Sequence, residues 1–596
     1  MTLSRRHTLT LAFLFALLGL LPQVLSRTLP DIAFPLWAAE RMQHGARLYV
    51  DILEINPPLF IWMDLPLVWL TRVTGLESIT WYRIATSALL IASLAGCWWA
   101  LKKGLGDETP QYRRLLWLAA AFALLLLPRL DWGEREHLSL ALTLPYILLG
   151  IARARGRAVP TGGAVLAGIA AGIGIAFKPH FVLVWVGREM AVWSSVISLR
   201  SSTAADGAEG RRPTNEDRQP EAATRLHLGA ETLTVPLLCI AYLAAVILIH
   251  PEYFHLVREL GWAYSGLVRN SAILAVAVFL GNGATIVLGA LIVALALRAI
   301  PKQAAVWRVL IASMLGYFMA AVFQLKGRSY HLYPSAALAM LLLAAMAWDV
   351  RQMVATGIMR LFAELPATAL ITSALVAGAL AVAQIATPLA PRYDEDASIG
   401  LLIPVVHARA AGRPVYVVSP HFGSAFPLLT YAGAEWPARL PSLWPVSTAY
   451  DSASGQRDPI RFRAADSMTP PERFAMDVTV SDFLRSTPPL VLISGFRDEP
   501  GWGQQRLDLL RWLRLDPRFS AAWAVYEKLG VVGSYSVWAR RGDSLASRAL
   551  TPRPPTEDTE GYPPEDIQVN GIAVATWAVM LAILAIRLLR RRGVPA

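Results

Sequence analysis

Apolar runs of membrane-spanning length recur along most of this chain, separated by short polar loops. An α-helix needs about 20 mostly apolar residues to cross the hydrocarbon layer. Runs of that order lie near 8–26, 81–101, 114–129, 137–153, 162–178, 180–198, 232–250, 271–297, 304–323, 331–350, 365–388 and 569–588. The pattern predicts an α-helical polytopic membrane protein with about 12 transmembrane helices. Leu59 to Thr71 is also apolar, but it is short and contains Asp64 and Pro66, so it reads as a helix lying along the interface. That choice sets the side of every later loop. It puts Lys102 with Lys103, Arg113 with Arg114, Arg153 to Arg157, Arg200 to Arg225, Arg298 with Lys302 and Arg308, and Arg587 to Arg592 on the cytoplasmic side, as the positive-inside bias requires.

The start, with Arg5 and Arg6 before an apolar run, has the look of a secretory signal. Without a small-x-small cleavage site it reads as an uncleaved first helix. Ser201 to Ala230, within a loop spanning 199–231, is rich in Ser, Ala, Gly and charge and reads as a flexible cytoplasmic connection. From Pro391 to Asp566 the composition becomes that of a water-soluble unit. Strands are expected at Pro414 to Val418 and Leu490 to Ser494, a helix at Gln504 to Leu515, and a strand pair around Ala521 to Ala539. The expected organisation is thus a membrane domain over 1–390 with its first outer loop at 27–80, a small extracytoplasmic α/β domain over 391–566, and a last span with a basic tail over 567–596. Pro-rich Thr551 to Pro564 leads into that span.

Composition narrows the classes. With 55% hydrophobic and 16% charged residues and a mean hydropathy of +0.44, the chain is too apolar for a soluble enzyme. The +12 formal charge is carried mainly by loops beside apolar spans, which assigns it to topology and not to a nucleic-acid partner. Cys97 and Cys239 both fall inside apolar spans, leaving no disulfide framework and no zinc-type spacing.

Four polar clusters interrupt the apolar pattern, and the topology above places all of them on one side. Ionisable groups beside hydrocarbon are retained mainly where they meet water, a partner or a substrate. The first cluster runs from Asp31 to Asn56: Asp31 follows the first span, a short amphipathic helix leads to Gly45, and Tyr49, Asp51, Glu54 and Asn56 precede Pro57 and Pro58. Asp31 suits two roles equally, accepting a proton or capping the helix. The second packs Arg129, Asp131, Glu134, Arg135, Glu136 and His137 between two spans. Its carboxylates and histidine suit a divalent cation, and its arginines suit ion pairs with the same acids. The third is Lys178-Pro179-His180 after the glycine-rich stretch Gly162 to Gly174; Lys178 could meet a lipid phosphate or snorkel to the interface. The fourth, Gln324 to Pro334, offers Lys326, Arg328 and His331 as cations, with Tyr330 and Tyr333 at headgroup depth.

An Asp after the first helix, an alanine-rich helix, a Gly, a Tyr-x-Asp and a Pro-Pro entering an interfacial helix resemble the first periplasmic loop of the GT-C class of membrane glycosyltransferases. The class includes protein O-mannosyltransferases and the lipid A aminoarabinose transferase, which move a sugar from a polyprenyl-phosphate carrier. The resemblance covers roughly the first 390 residues and extends to Arg83, Lys178-Pro179 and Lys326-Gly-x-x-Tyr330-His331. It implies Asp31 as general base, with Asp131, Glu134 and Glu136 as further acidic positions. It also implies Lys326, Arg328, His331, Tyr330, Lys178 and Arg83 around the donor phosphate, and Glu54, Asn56, Arg135, His137 and His180 in acceptor binding or positioning. Asp31 stands without the adjacent second acid of the protein O-mannosyltransferases.

The implied function is sugar transfer from a polyprenyl-phosphate donor to a glycan, lipid or protein acceptor, in a bacterial inner membrane with the site facing the periplasm. Two other readings fit the residues: a transporter or flippase for a glycolipid, and a non-catalytic assembly subunit. Transporters place charge near the bilayer midplane and show repeats, whereas here the four clusters gather at one surface and no repeat is evident.

Overall fold

The computed structural model describes residues 4–25, 27–106, 109–208, 229–269, 303–324, 329–355, 397–451, 460–495 and 507–546, with a few positions between 286 and 294 and near 550. The spans expected near 271–297, 365–388 and 569–588, most of the loop 199–231, the linker Thr551 to Pro564, and both Lys326 and Arg328 lie outside these residues. The other nine expected spans are helices, and seven helices among the described residues are long and apolar enough to cross a membrane.

The chain enters through α1 (Arg5–Leu25). Next come α2 (Pro30–Gln43), begun by a proline in its first turn and ended by Gly45 at φ +92°, and α3 (Leu59–Thr74), which stops where Gly75 adopts a left-handed turn. Then follow α4 (Ser78–Leu105), α5 (Pro110–Leu125), α6 (Arg135–Ala154), α7 (Thr161–Ala176), α8 (Val182–Ala208), α9 (Ala230–Ile249), α10 (Glu252–Arg269), α11 (Ala304–Gln324) and α12 (Tyr333–Ala355).

Helix α6 is the axis of the bundle. Every residue from Glu136 to Ala152 is buried, as expected for a helix apolar on all sides, with α4, α7, α8 and α11 around it. Its polar side chains bond inside the bundle: Ser139 and Thr143 meet the Tyr317 hydroxyl at 2.9 and 2.8 Å, which satisfies groups that would be costly beside hydrocarbon. Small residues set the spacing. A Cβ on Gly187 of α8 would lie 2.4 Å from the Ala312 carbonyl oxygen, and one on Gly316 of α11 would lie 2.6 Å from that of Leu183. Only glycine permits so close an approach, and the approach brings the start of α8 beside the end of α11.

The C-terminal unit is α/β. Its helices α13 (Ala397–Ala410), α14 (Leu428–Ala432), α15 (Trp444–Asp451), α16 (Pro470–Ser486), α17 (Leu509–Leu513) and α18 (Pro517–Trp523) surround a sheet of β1 (Val415–Val418), β2 (Leu490–Ser494), β3 (Tyr526–Val532) and β4 (Tyr535–Arg540). The order is β1-β2-β4-β3, with β1 and β2 parallel and the rest antiparallel. The two expected single strands are present. The expected strand pair begins later than its pattern suggested, because Asp516 caps α18 and Pro517 opens it, drawing Ala521 to Trp523 into helix.

One contact decides sidedness. Arg135 and Asp31 are 3.1 Å apart although α3, α4 and α5 lie between them in sequence. If α4 and α5 cross the membrane as the sequence predicts, a further crossing by α3 would put Asp31 and Arg135 on opposite sides. The contact fits the expected placement of α3 along the interface. Cysteines placed singly at Glu40, Glu77 and Lys102 are expected to show it: a membrane-impermeant maleimide applied to one face of sealed vesicles should label positions 40 and 77 together and spare 102. Opposite reactivity of positions 40 and 77 would contradict this placement.

Candidate active site

Two successive residues at the start of α6 gather the polar clusters. Gly133, at φ +85°, turns the chain into α6, and its carbonyl accepts from the Tyr82 hydroxyl of α4. Arg135 then donates to Asp31 Oδ1 at 3.1 Å and lies 5.8 Å from the centre of the Phe60 ring of α3. Glu136, fully buried, forms an ion pair with Lys178. Lys178 also donates to Gln324 Oε1 at 3.1 Å, at the end of α11, and stands 5.7 Å from the Tyr330 ring centre. His331 Nε2 is 3.9 Å from Glu136 Oε1, with the Tyr330 ring edge-on to its imidazole at 4.3 Å. All four clusters thus meet at one end of the bundle.

Asp31 is not a helix cap. The N-cap position of α2 is Leu29, no side chain caps that end, and Asp31 in the first turn turns its carboxylate to Arg135. A carboxylate in a first helical turn also gains from the positive end of the helix dipole. Glu54, in the loop between α2 and α3, accepts from the Asn56 backbone N–H at 2.7 Å and from its side-chain amide. The Tyr49 hydroxyl donates to the Asn56 carbonyl at 2.9 Å, with Tyr49 held at φ +70°, a left-handed conformation unusual for a tyrosine. Burial holds Glu54 above the usual carboxylate range and the nearby Asp31 charge adds to this, while Asn56 and Arg135 oppose it. Burial pushes Glu134 well above that range too, reinforced by the charges of Asp31, Asp131 and Glu136.

Other expected site residues stand around this centre. Asp131 ends a short turn, where its carbonyl accepts from the Glu134 N–H at 3.1 Å. His137 uses both ring nitrogens to hold the loop: Nδ1 accepts from the Gly133 N–H and Nε2 donates to the Leu124 carbonyl, both at 2.9 Å. His180 is half-buried against Phe181, and Arg83 sits on α4 next to Tyr82. Among the described residues no group of three or more His, Cys, Asp or Glu is arranged to hold a metal ion; Arg135 pairs with Asp31 and Lys178 with Glu136.

Two features escaped the sequence reading. Gln324 is a neutral amide whose role depends on where α11 ends. Deeper in the bundle, Arg188, Glu189 and Glu231 are buried, with Arg153 bidentate to Glu231 at 2.7 and 2.9 Å and Tyr146 and Thr232 donating to Glu189. The adjacent Arg188 and Glu189 inside an apolar run were its visible signal.

Breaking a buried ion pair from one side costs about 3–5 kcal/mol, because the remaining charge is stranded. Lys178→Met is therefore expected to lower the melting temperature of the purified protein, and adding Glu136→Gln is expected to restore most of it; additive losses would contradict the pairing. Glu134 gives a pH signature. Its raised folded-state pKa means that stability is fully present below the usual carboxylate range and is lost as pH rises through the folded value. Glu134→Gln is expected to lose less melting temperature than the parent between pH 5 and pH 8, approximate limits chosen to bracket that rise; equal losses would contradict the assignment.

No protein-family model matches this chain, and no curated protein matches it. Among solved structures it is similar to the arabinofuranosyltransferase AftD from Mycobacteria, at 15% identity and a TM-score of 0.39, over 91% of this chain and 40% of that one. It is also similar to ArnT from Cupriavidus metallidurans bound to undecaprenyl phosphate, at 13% identity and a TM-score of 0.45, over 91% of this chain and 99% of that one. The apo form of that ArnT aligns at 13% identity and a TM-score of 0.41, over 90% and 98%. The chain spans less than half the length of the arabinofuranosyltransferase. AftD and ArnT are both GT-C fold glycosyltransferases.

Proposed function

We propose that the protein is a membrane glycosyltransferase that moves a sugar from a polyprenyl-phosphate donor to an extracytoplasmic acceptor, with Asp31 as general base. The observation that carries this reading is the juxtaposition at the start of α6, where Arg135 holds a partly exposed carboxylate and the next residue, Glu136, holds a lysine. The partners that hold acid and cation are adjacent residues of one helix, at the end of the bundle assigned to lipid headgroups and water-borne acceptors.

The acceptor hydroxyl gives its proton to Asp31 while its oxygen bonds to the anomeric carbon from the face opposite the phosphate. The bond from that carbon to the phosphate oxygen breaks, its electron pair leaves with the polyprenyl phosphate, and the sugar is inverted. Negative charge grows on the departing phosphate, so cations already in place stabilise the transition state without reorganisation. Lys178, fixed by Glu136 and Gln324, is one. Lys326 and Arg328 are assigned to the same task from the sequence, with His331, Tyr330 and Arg83 beside them. Glu54, Asn56, Asp131, Glu134, His137 and His180 shape the acceptor side. Residues 1–390 form the catalytic membrane domain, 391–566 a periplasmic unit and 567–596 the final span, with the active site facing the periplasm of a bacterial inner membrane.

The transporter alternative would draw on the charges within the bundle. That network is balanced, two arginines against two glutamates, and ties α6, α8 and α9 together; it supports a scaffold better than a pathway.

General-base catalysis contributes about 10²–10⁴-fold. Asp31→Asn is expected to reduce sugar transfer by that order, and Lys326→Ala to reduce it substantially, in a deletion strain where both variants accumulate in the membrane. Mass spectrometry of envelope glycans reads the product. Transfer undiminished in both variants would reject the proposal.

A further inference from the structure

The segment carrying Asp31 and Glu54 is gripped from two sides. Arg135 holds it from the bundle; the other grip comes from the C-terminal α/β unit. One and nearly two helical turns beyond Asp31, Phe34 and Trp37 stack on each other at 5.7 Å and both meet Phe426, at 5.3 and 5.1 Å. Ahead of α2, the Thr28 N–H donates to the Tyr431 hydroxyl at 3.0 Å. Beside Glu54, the Leu53 N–H donates to the Arg439 carbonyl at 2.9 Å. Each carboxylate that faces Arg135 therefore lies within three residues of a contact with the α/β unit, although more than 370 residues of chain separate the two sides.

From this arrangement we infer that the α/β unit is a positioning element of the active centre: Phe426, against Phe34 and Trp37 of α2, and Tyr431, against Thr28, set the start of α2 and so the direction of the Asp31 carboxylate. The inference rests on the glycosyltransferase reading for its catalytic meaning, and the grip itself is geometry that can be measured without it. Within the membrane domain α2 packs on α3 through buried apolar side chains, and its first turn has the Arg135 ion pair, which near an interface is worth little by itself. The aromatic contact and the backbone hydrogen bond add fixed points on either side of Asp31. Neither Trp37 nor Tyr431 needs to touch substrate. A reactive group displaced by about 1 Å loses on the order of a hundredfold in rate, so contacts that hold the turn affect turnover more than donor binding.

The experiment uses the full chain in membrane vesicles. Asp31→Cys is combined with Trp37→Ala, with Trp37→Phe and with Tyr431→Phe, and its rate of modification by a membrane-impermeant maleimide is measured. Tyr431→Phe removes a single hydroxyl and guards against a general loss of folding. Binding of undecaprenyl phosphate is measured in parallel, and envelope glycan product is measured for the same substitutions with Asp31 intact. The expected result is a several-fold faster modification with Trp37→Ala and Tyr431→Phe, near-parent rates with Trp37→Phe, and unchanged undecaprenyl phosphate binding. Product should fall by roughly tenfold to a hundredfold with Trp37→Ala. Parent rates of modification in both the Trp37→Ala and Tyr431→Phe backgrounds would overturn the inference, as would undiminished product. The labelling arm does not depend on sugar transfer: if Asp31→Asn transferred sugar normally, the functional reading would fail while labelling still judged the grip.

Discussion

Charge buried among apolar helices persists only when it is paired, and in this protein the pairing begins at Arg135 and Glu136. Each draws its partner from a different part of the chain: Asp31 from the loop after α1, Lys178 from the turn between α7 and α8. Gln324 at the end of α11 completes the lysine's shell. The fully buried position of Glu136 calls for the lysine, and the turn that carries the lysine leads into α8, which packs closely on α11 at Gly187 and Gly316. Helix packing and site geometry are thus one constraint.

Much of this was legible in the hydropathy pattern. The spans that lie within the described residues are helices, and Leu59 to Thr71 is a helix with Asp64 and Pro66 inside it. The clusters were visible as charges that apolar spans would not retain without reason. What stayed hidden was partnership. Nothing in the order of residues tells that Asp31 chooses Arg135 over the N-terminus of its own helix, or that His137 spends both nitrogens on backbone groups. The same limit applies to β3, where a capped proline start, local and weak, overrode an apolar stretch that read as strand.

A site assembled this way is preorganised. Lys178 is held by a carboxylate and an amide, and Asp31, the proposed base, is paired with Arg135 on a helix that also touches the α/β unit. The second buried network, from Arg153 through Glu231 to Arg188, secures α9 against α6 and α8, and α9 in turn holds the start of α3 through Tyr242, whose hydroxyl accepts from the Leu59 N–H at 3.2 Å. Rigidity at this second network therefore supports the loop that carries the acids.

The central claim is that acid and cation share one lipid-facing mouth. A cryo-EM map of the purified full chain with undecaprenyl phosphate added tests it most directly. The account predicts phosphate density beside Lys178 and Tyr330, with Asp31 bordering the same cavity and still paired with Arg135. Phosphate density elsewhere on the bundle, or Asp31 and Lys178 on opposite faces of the detergent belt, would contradict it.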